Sequence, residues 1–172
     1  REITHRADAV RQILLCDLPD FDSLVGSHRL RVMAFLRHLD LLVWVTSPEK
    51  YADERFYNFL HEAPKARQNF YFIINKADLF FAGQSLESGY QELAKVTAGF
   101  QQYLTAHGVS HPLIYCVSAE QIKHREPAAP WNQFASLRQQ VFQHRDAKEI
   151  MAIKAANLDV EVQLLLSILQ RE

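Results

Sequence analysis

Asn69-Phe-Tyr-Phe-Ile-Ile-Asn-Lys-Ala-Asp78 is an apolar run that ends abruptly in a polar loop. The run carries no charge and no polar alternation, which marks a strand buried on both faces. The loop Asn75-Lys76-Ala77-Asp78 has two readings. In the plainer one, Asn75 and Asp78 turn the chain by hydrogen bonding nearby backbone. In the other, the Asp78 carboxylate offers two acceptors side by side to paired N–H donors on a planar ring. Lys76 then lays its methylene stem along a flat ligand, and Asn75 ties the loop to its neighbour. Four residues alone do not choose between these readings, so their setting must.

Two further apolar runs end in polar loops. Upstream, Ala9-Val-Arg-Gln-Ile-Leu-Leu-Cys16 leads into Asp17-Leu18-Pro19-Asp20, and downstream Pro112-Leu-Ile-Tyr-Cys-Val117 leads into Ser118-Ala119-Glu120. Open α/β sheets bind ligands at the carboxyl ends of their strands. In that order the three loops resemble the Asp-x-x-Gly second switch, the Asn-Lys-x-Asp base-reading loop and the Ser-Ala-x closing loop of GTPases. Over residues 1–145 the chain thus resembles the translation-factor class of P-loop GTPases, and within it the dynamin-like and Era-like large GTPases. Asp17-Leu-Pro-Asp-Phe-Asp-Ser23 and Thr46-Ser47-Pro48-Glu49 carry the narrower likeness.

The resemblance implies a doubly wound α/β fold of P-loop NTPase (Ras-like G domain) type, with a mostly parallel sheet. It implies GTP or GDP as ligand and Mg²⁺ as cofactor. Asn75, Lys76, Asp78, Ser118 and Ala119 would bind the nucleotide, with Asp78 accepting from guanine and Asn75 tying its loop to the neighbouring phosphate loop. Asp17 would hold Mg²⁺ through a water, and Asp20 would stand beside the γ-phosphate. Position 20 departs from the pattern, because the family has glycine where this chain has aspartate, which brings negative charge toward a polyanion. Phe21 follows, where Ras-type proteins place a glutamine that orients the attacking water. No catalytic residue is assigned. The activity expected is GTP hydrolysis by a molecular switch. The rival is a non-hydrolysing, guanine-nucleotide-regulated scaffold, or pseudo-GTPase.

None of the glycines, at 26, 83, 89, 99 and 108, begins a Gly-x-x-x-x-Gly-Lys-Ser/Thr phosphate loop. The expectation is that the chain opens inside its domain, after the phosphate loop and first switch. A central strand would then be lacking, leaving sheet edges unpaired, and such a piece is not expected to fold alone.

Between the loops, helical spacing is expected over Ser27–His38, Asp53–Ala66, Ser85–His107 and onward from Trp131, with strands at 9–16, Leu39–Thr46 and Pro112–Val117. From Lys148 to Leu169 nothing breaks a helix. Ile150, Ile153, Leu158, Val162, Leu165 and Leu169 form a stripe that a GTPase core does not need. Residues 146–172 are therefore expected to begin a helical bundle or stalk that meets a helical partner or a second copy, the plainer alternative being a helix folded back on its own domain.

The 172 residues are 48% apolar and 23% charged with a net charge of −1, which suits one ordinary globular domain and gives no electrostatic case for nucleic acid or an anionic membrane. A membrane-remodelling role would need a lipid-binding element that the sequence does not display. Cys16 and Cys116 lack metal or disulfide spacing and read as buried free thiols, in keeping with a cytoplasmic setting. The histidines show no metal-ligand spacing either.

Overall fold

The computed structural model describes residues 13–18, 32–63, 65–123, 128–142 and 145–171. Its centre is a three-stranded, all-parallel sheet in sequential order, β1 (Leu42–Thr46), β2 (Phe70–Ile74) and β3 (Leu113–Cys116). Leu42 pairs with Phe70 and Thr46 with Ile74, while Tyr71 pairs with Leu113 and Ile74 with Cys116. Helix α1 (Glu54–Glu62) connects β1 to β2, and α2 (Leu86–Ala106) connects β2 to β3. Parallel neighbours require such crossovers. A short α3 (Ala119–Lys123), then α4 (Phe134–Phe142) and α5 (Ala147–Leu169) follow the last strand.

Residue alternation along the strands assigns the helices to two faces. Phe70, Phe72 and Ile74 join Phe56, Leu60, Phe100 and Leu104 in the main core, so α1 and α2 cover one face. Ile73 and Val117 meet Leu137 of α4 on the other. All five residues of β2 are buried, as its unbroken apolar sequence requires. β1 differs from expectation. Trp44 stacks on Phe56 with ring centroids 4.0 Å apart, but Val43 and Val45 on the opposite face remain 38% and 56% exposed. The apolar run Leu39–Thr46 reads as a strand covered on both faces, whereas on the α4 side the described apolar cluster gathers Ile73 of β2 and Tyr115 of β3.

Local signals set the helix ends. Asp53 caps α1 by accepting from the Arg55 backbone N–H at 3.0 Å, and Ala63, which precedes Pro64, is extended, so α1 stops at Glu62 short of the expected Ala66. Ser85 caps α2, and Gly108 at φ 87° follows its end, so the helix lies within the expected Ser85–His107. Asp146 and Glu149 form a reciprocal capping box at the start of α5.

Two expectations change. Residues 13–16 belong to no strand, and Leu14 and Leu15 are 84% and 72% exposed; a strand needs a hydrogen-bonded partner, and no described strand lies beside this segment. Cys16 is accordingly half-buried, while Cys116 is buried as expected. Residues 32–36 are helical, in line with the helix expected there. The rest of 19–31, with Asp20, Phe21 and Ser23, lies outside the described residues, as do residues 1–12 and His124.

The apolar stripe read from α5 also points away from the domain. Leu158, Val162, Leu165 and Leu169 are 59%, 41%, 62% and 68% exposed, whereas Asn157 is buried. Its carboxamide oxygen accepts from the Ala66 backbone N–H (3.1 Å) and from Asn69 Nδ2 (2.8 Å), and its Nδ2 donates to the Asp40 carbonyl (3.0 Å). Beside it, Lys154 Nζ meets the Asp40 carboxylate at 2.7 Å. The helix is tied by its middle to the segments that enter β1 and β2.

Candidate functional site

Three loops meet at the carboxyl end of the sheet. β2 runs out through Asn75 and Lys76 into a 3-10 turn, Ala77–Phe81, and β3 runs out through Val117 and Ser118 into α3. Backbone bonds extend the ladder past the strand ends. Asn75 N–H donates to the Thr46 carbonyl at 2.8 Å, Val117 N–H to Ile74 at 2.9 Å, and Ala77 N–H to Val117 at 3.0 Å. The two loops named by the sequence are therefore neighbours in space.

Asn75 joins them with its side chain. Its Oδ1 accepts from the Ala119 backbone N–H at 3.2 Å. The sequence reading had Asn75 tie its loop to a phosphate loop; the described partner is the closing loop. Lys76 stands in the left-handed region, φ 62° and ψ 31°, and is the one non-glycine residue with positive φ among those described. A lysine there stores about 1–3 kcal/mol of strain, of a kind that collects at ligand-binding sites. Its ammonium lies 3.7 Å from Glu49, which follows β1. Both side chains are more than half exposed, so the pair adds little stability. The Glu49 carboxyl is held below its ordinary value by its own backbone N–H first, with smaller help from Ser47 and Lys76.

Asp78 sits half-buried in the 3-10 turn, and the turn is clamped from outside. Phe81 stacks on Trp131, with centroids 4.8 Å apart and planes 8° from parallel, and meets Tyr90 edge-on at 5.3 Å. A Cβ on Gly89 would fall 2.4 Å from the Phe81 ring and 2.9 Å from the Phe80 carbonyl oxygen, so the turn approaches α2 as closely as only glycine permits. Phe80 and Phe81 pack against the core, while Leu79 is 53% exposed.

Ser118 is fully buried, and its hydroxyl accepts from the Gln121 N–H at 3.5 Å, so it shapes the loop and leaves the exposed Ala119 to face outward. Sequence reasoning missed Trp131, Asn132 and Gln133, which flank this loop. Trp131 was read only as the start of a helix, and nothing in apolar spacing distinguishes a bracketing Asn or Gln from a surface one.

Asp17 is exposed, and Leu18 beside it packs against the core. Among the described residues no group of three or more His, Cys, Asp or Glu side chains is placed to hold a metal ion. One carboxylate suits Mg²⁺ only where phosphate oxygens and water complete its shell. No helix among the described residues is long and apolar enough to cross a membrane. Comparison with protein-family models, with curated proteins and with solved structures yields no match for the chain.

Proposed function

We propose that the chain carries the base-binding loops of a guanine-nucleotide-binding domain of the P-loop GTPase type, in which Asp78 reads the base and the Ser118–Ala119 loop closes over it. The observation that supports this most is the Asn75 Oδ1 to Ala119 N–H bond. It joins two motifs separated by more than forty residues, each at the carboxyl end of a parallel strand, which is where such sheets take ligands. The plainer reading of Asn75 as a local turn residue does not call for a long-range partner.

In this reading GTP brings Mg²⁺ with its phosphates, Asp17 contributes one water-mediated carboxylate, and turnover is that of a slow switch. Asp20 and Phe21 favour the second reading, a guanine-nucleotide-regulated scaffold that does not hydrolyse. Charge repulsion at Asp20 acts on the triphosphate more than on the diphosphate. Guanine binding without turnover would select the scaffold.

The test is calorimetric titration of the protein with guanine and adenine nucleotides. Guanine should bind at least tenfold more tightly, about 1.4 kcal/mol. Asp78→Asn replaces one acceptor by a donor and should shift preference toward xanthine nucleotides. Equal affinity for GTP and ATP would end the nucleotide reading.

A further inference from the structure

Residues Trp131, Asn132 and Gln133, which precede α4, touch both loops of the candidate site. Trp131 stacks on Phe81 at the exit of the Asp78 turn. Asn132 is buried and uses its carboxamide fully: Nδ2 donates to the Ser118 carbonyl (3.1 Å) and to Gln121 Oε1 (3.2 Å), while Oδ1 accepts from the Phe134 N–H (3.2 Å). Gln133 pairs with Cys116 in both directions. Its backbone N–H donates to the Cys116 carbonyl at 2.9 Å, and its Oε1 accepts from the Cys116 N–H at 2.8 Å. Gln133 thus supplies the bonds of a further strand at the outer edge of β3.

We infer that Trp131-Asn132-Gln133 is a positioning bracket for base recognition, with Asn132 setting the Ser118–Ala119 peptide against the Asp78 turn; the inference rests on the guanine-nucleotide reading above. The geometry is economical. Ser118 is held at its carbonyl by Asn132, the next N–H is held by Asn75, and the turn bearing Asp78 is held through Phe81 by the residue adjacent to Asn132. A buried polar network with every member paired fixes one arrangement, and losing one member leaves its partners unpaired and the arrangement loose. Two recognition groups on separate loops can discriminate between bases only if their spacing is fixed. None of the three bracket residues needs to touch the ligand for this.

Asn132→Asp tests the bracket at constant shape. The carboxylate can still accept from Phe134, but it loses both donors and faces two oxygens. On the full chain, hydrogen exchange read by mass spectrometry should accelerate at least tenfold in 118–121 while β2 stays protected. The affinity ratio of GDP to ADP should fall at least fivefold. Gln121→Leu, which removes one acceptor from a half-buried side chain, should give a smaller change of the same kind and decides the matter if the first variant does not fold. A purely structural role would lower the melting temperature and leave the GDP-to-ADP ratio unchanged, which overturns the inference. A wild-type chain without guanine preference overturns the nucleotide reading and the inference together, whereas selectivity that survives both variants overturns the inference alone.

Discussion

Gly89 and Gly99 both sit in α2, and their different surroundings separate backbone cost from crowding. Alanine at either helical position gains about 1 kcal/mol of propensity. At Gly99 the added methyl meets the Tyr51 hydroxyl at 3.2 Å, the far end of a side chain that can yield. At Gly89 it meets the Phe81 ring at 2.4 Å and the Phe80 carbonyl at 2.9 Å, and neither can retreat without moving the turn that carries Asp78. Overpacking of this kind costs about 1–3 kcal/mol. Denaturant melts should therefore show Gly99→Ala near wild type or slightly more stable, and Gly89→Ala less stable than Gly99→Ala by about 1–3 kcal/mol. Equal midpoints for the two would mean that the turn does not press on α2. The sequence placed Gly89 mid-helix and gave no sign of this contact, because the partner lies in another element. Lys76 is comparable: its position in the motif was plain, but nothing in the residue type announces a left-handed lysine.

Elements with local signals were the legible ones. β2 was written as an apolar run, α2 was bounded by Ser85 and Gly108, and the loops after β2 and β3 were identified by polar residues that interrupt those runs. α1 was legible through Asp53, whose carboxyl is held below its ordinary value chiefly by the Arg55 side chain, with the Arg55 backbone N–H adding to it. A carboxyl with a depressed folded pKa stabilises the fold in full above its unfolded value, about 4, and loses that contribution as pH falls toward the folded value. Stability should consequently fall with pH below about 4 through this cap, by a small amount because the pair is largely exposed. Asp53→Asn keeps a capping oxygen and loses the charge, so its stability should fall less steeply over that window. Identical acid slopes for the two proteins would show that the cap contributes nothing to the titration. What stayed hidden at this scale was the fastening of α5 to its domain, since a count of apolar spacing finds Leu158 and Leu165 and passes over Asn157.

Across the whole molecule the chemistry divides between the two ends of the sheet. The loops after β2 and β3, proposed above to take the nucleotide, lie at the carboxyl ends of the strands, and α5 is fastened at the opposite end through Asn157, Asp40 and Asn69. Two faces of one helix thus have separate tasks. The Asn157 side holds the helix to its domain, and the stripe Leu158, Val162, Leu165 and Leu169 remains open, a surface of the kind that marks association with another helix or a second copy. Asn157→Ala leaves the buried Ala66 N–H without its partner, at a cost of about 1–3 kcal/mol, and takes one bond each from the Asn69 amide, which keeps the Ile153 carbonyl, and from the Asp40 carbonyl. That variant should lower the melting temperature and loosen α5, seen as faster hydrogen exchange across 153–161. Leu158→Asp with Leu165→Asp should do the reverse: the melting temperature stays within a few degrees of wild type, because both side chains are already exposed, while the mass by light scattering falls or a helical partner is lost. Neither change should alter the GDP-to-ADP ratio, since both act at the far end of the sheet. If the double aspartate variant unfolds the domain and leaves association intact, the stripe belongs to the core and α5 is simply the last helix of this domain.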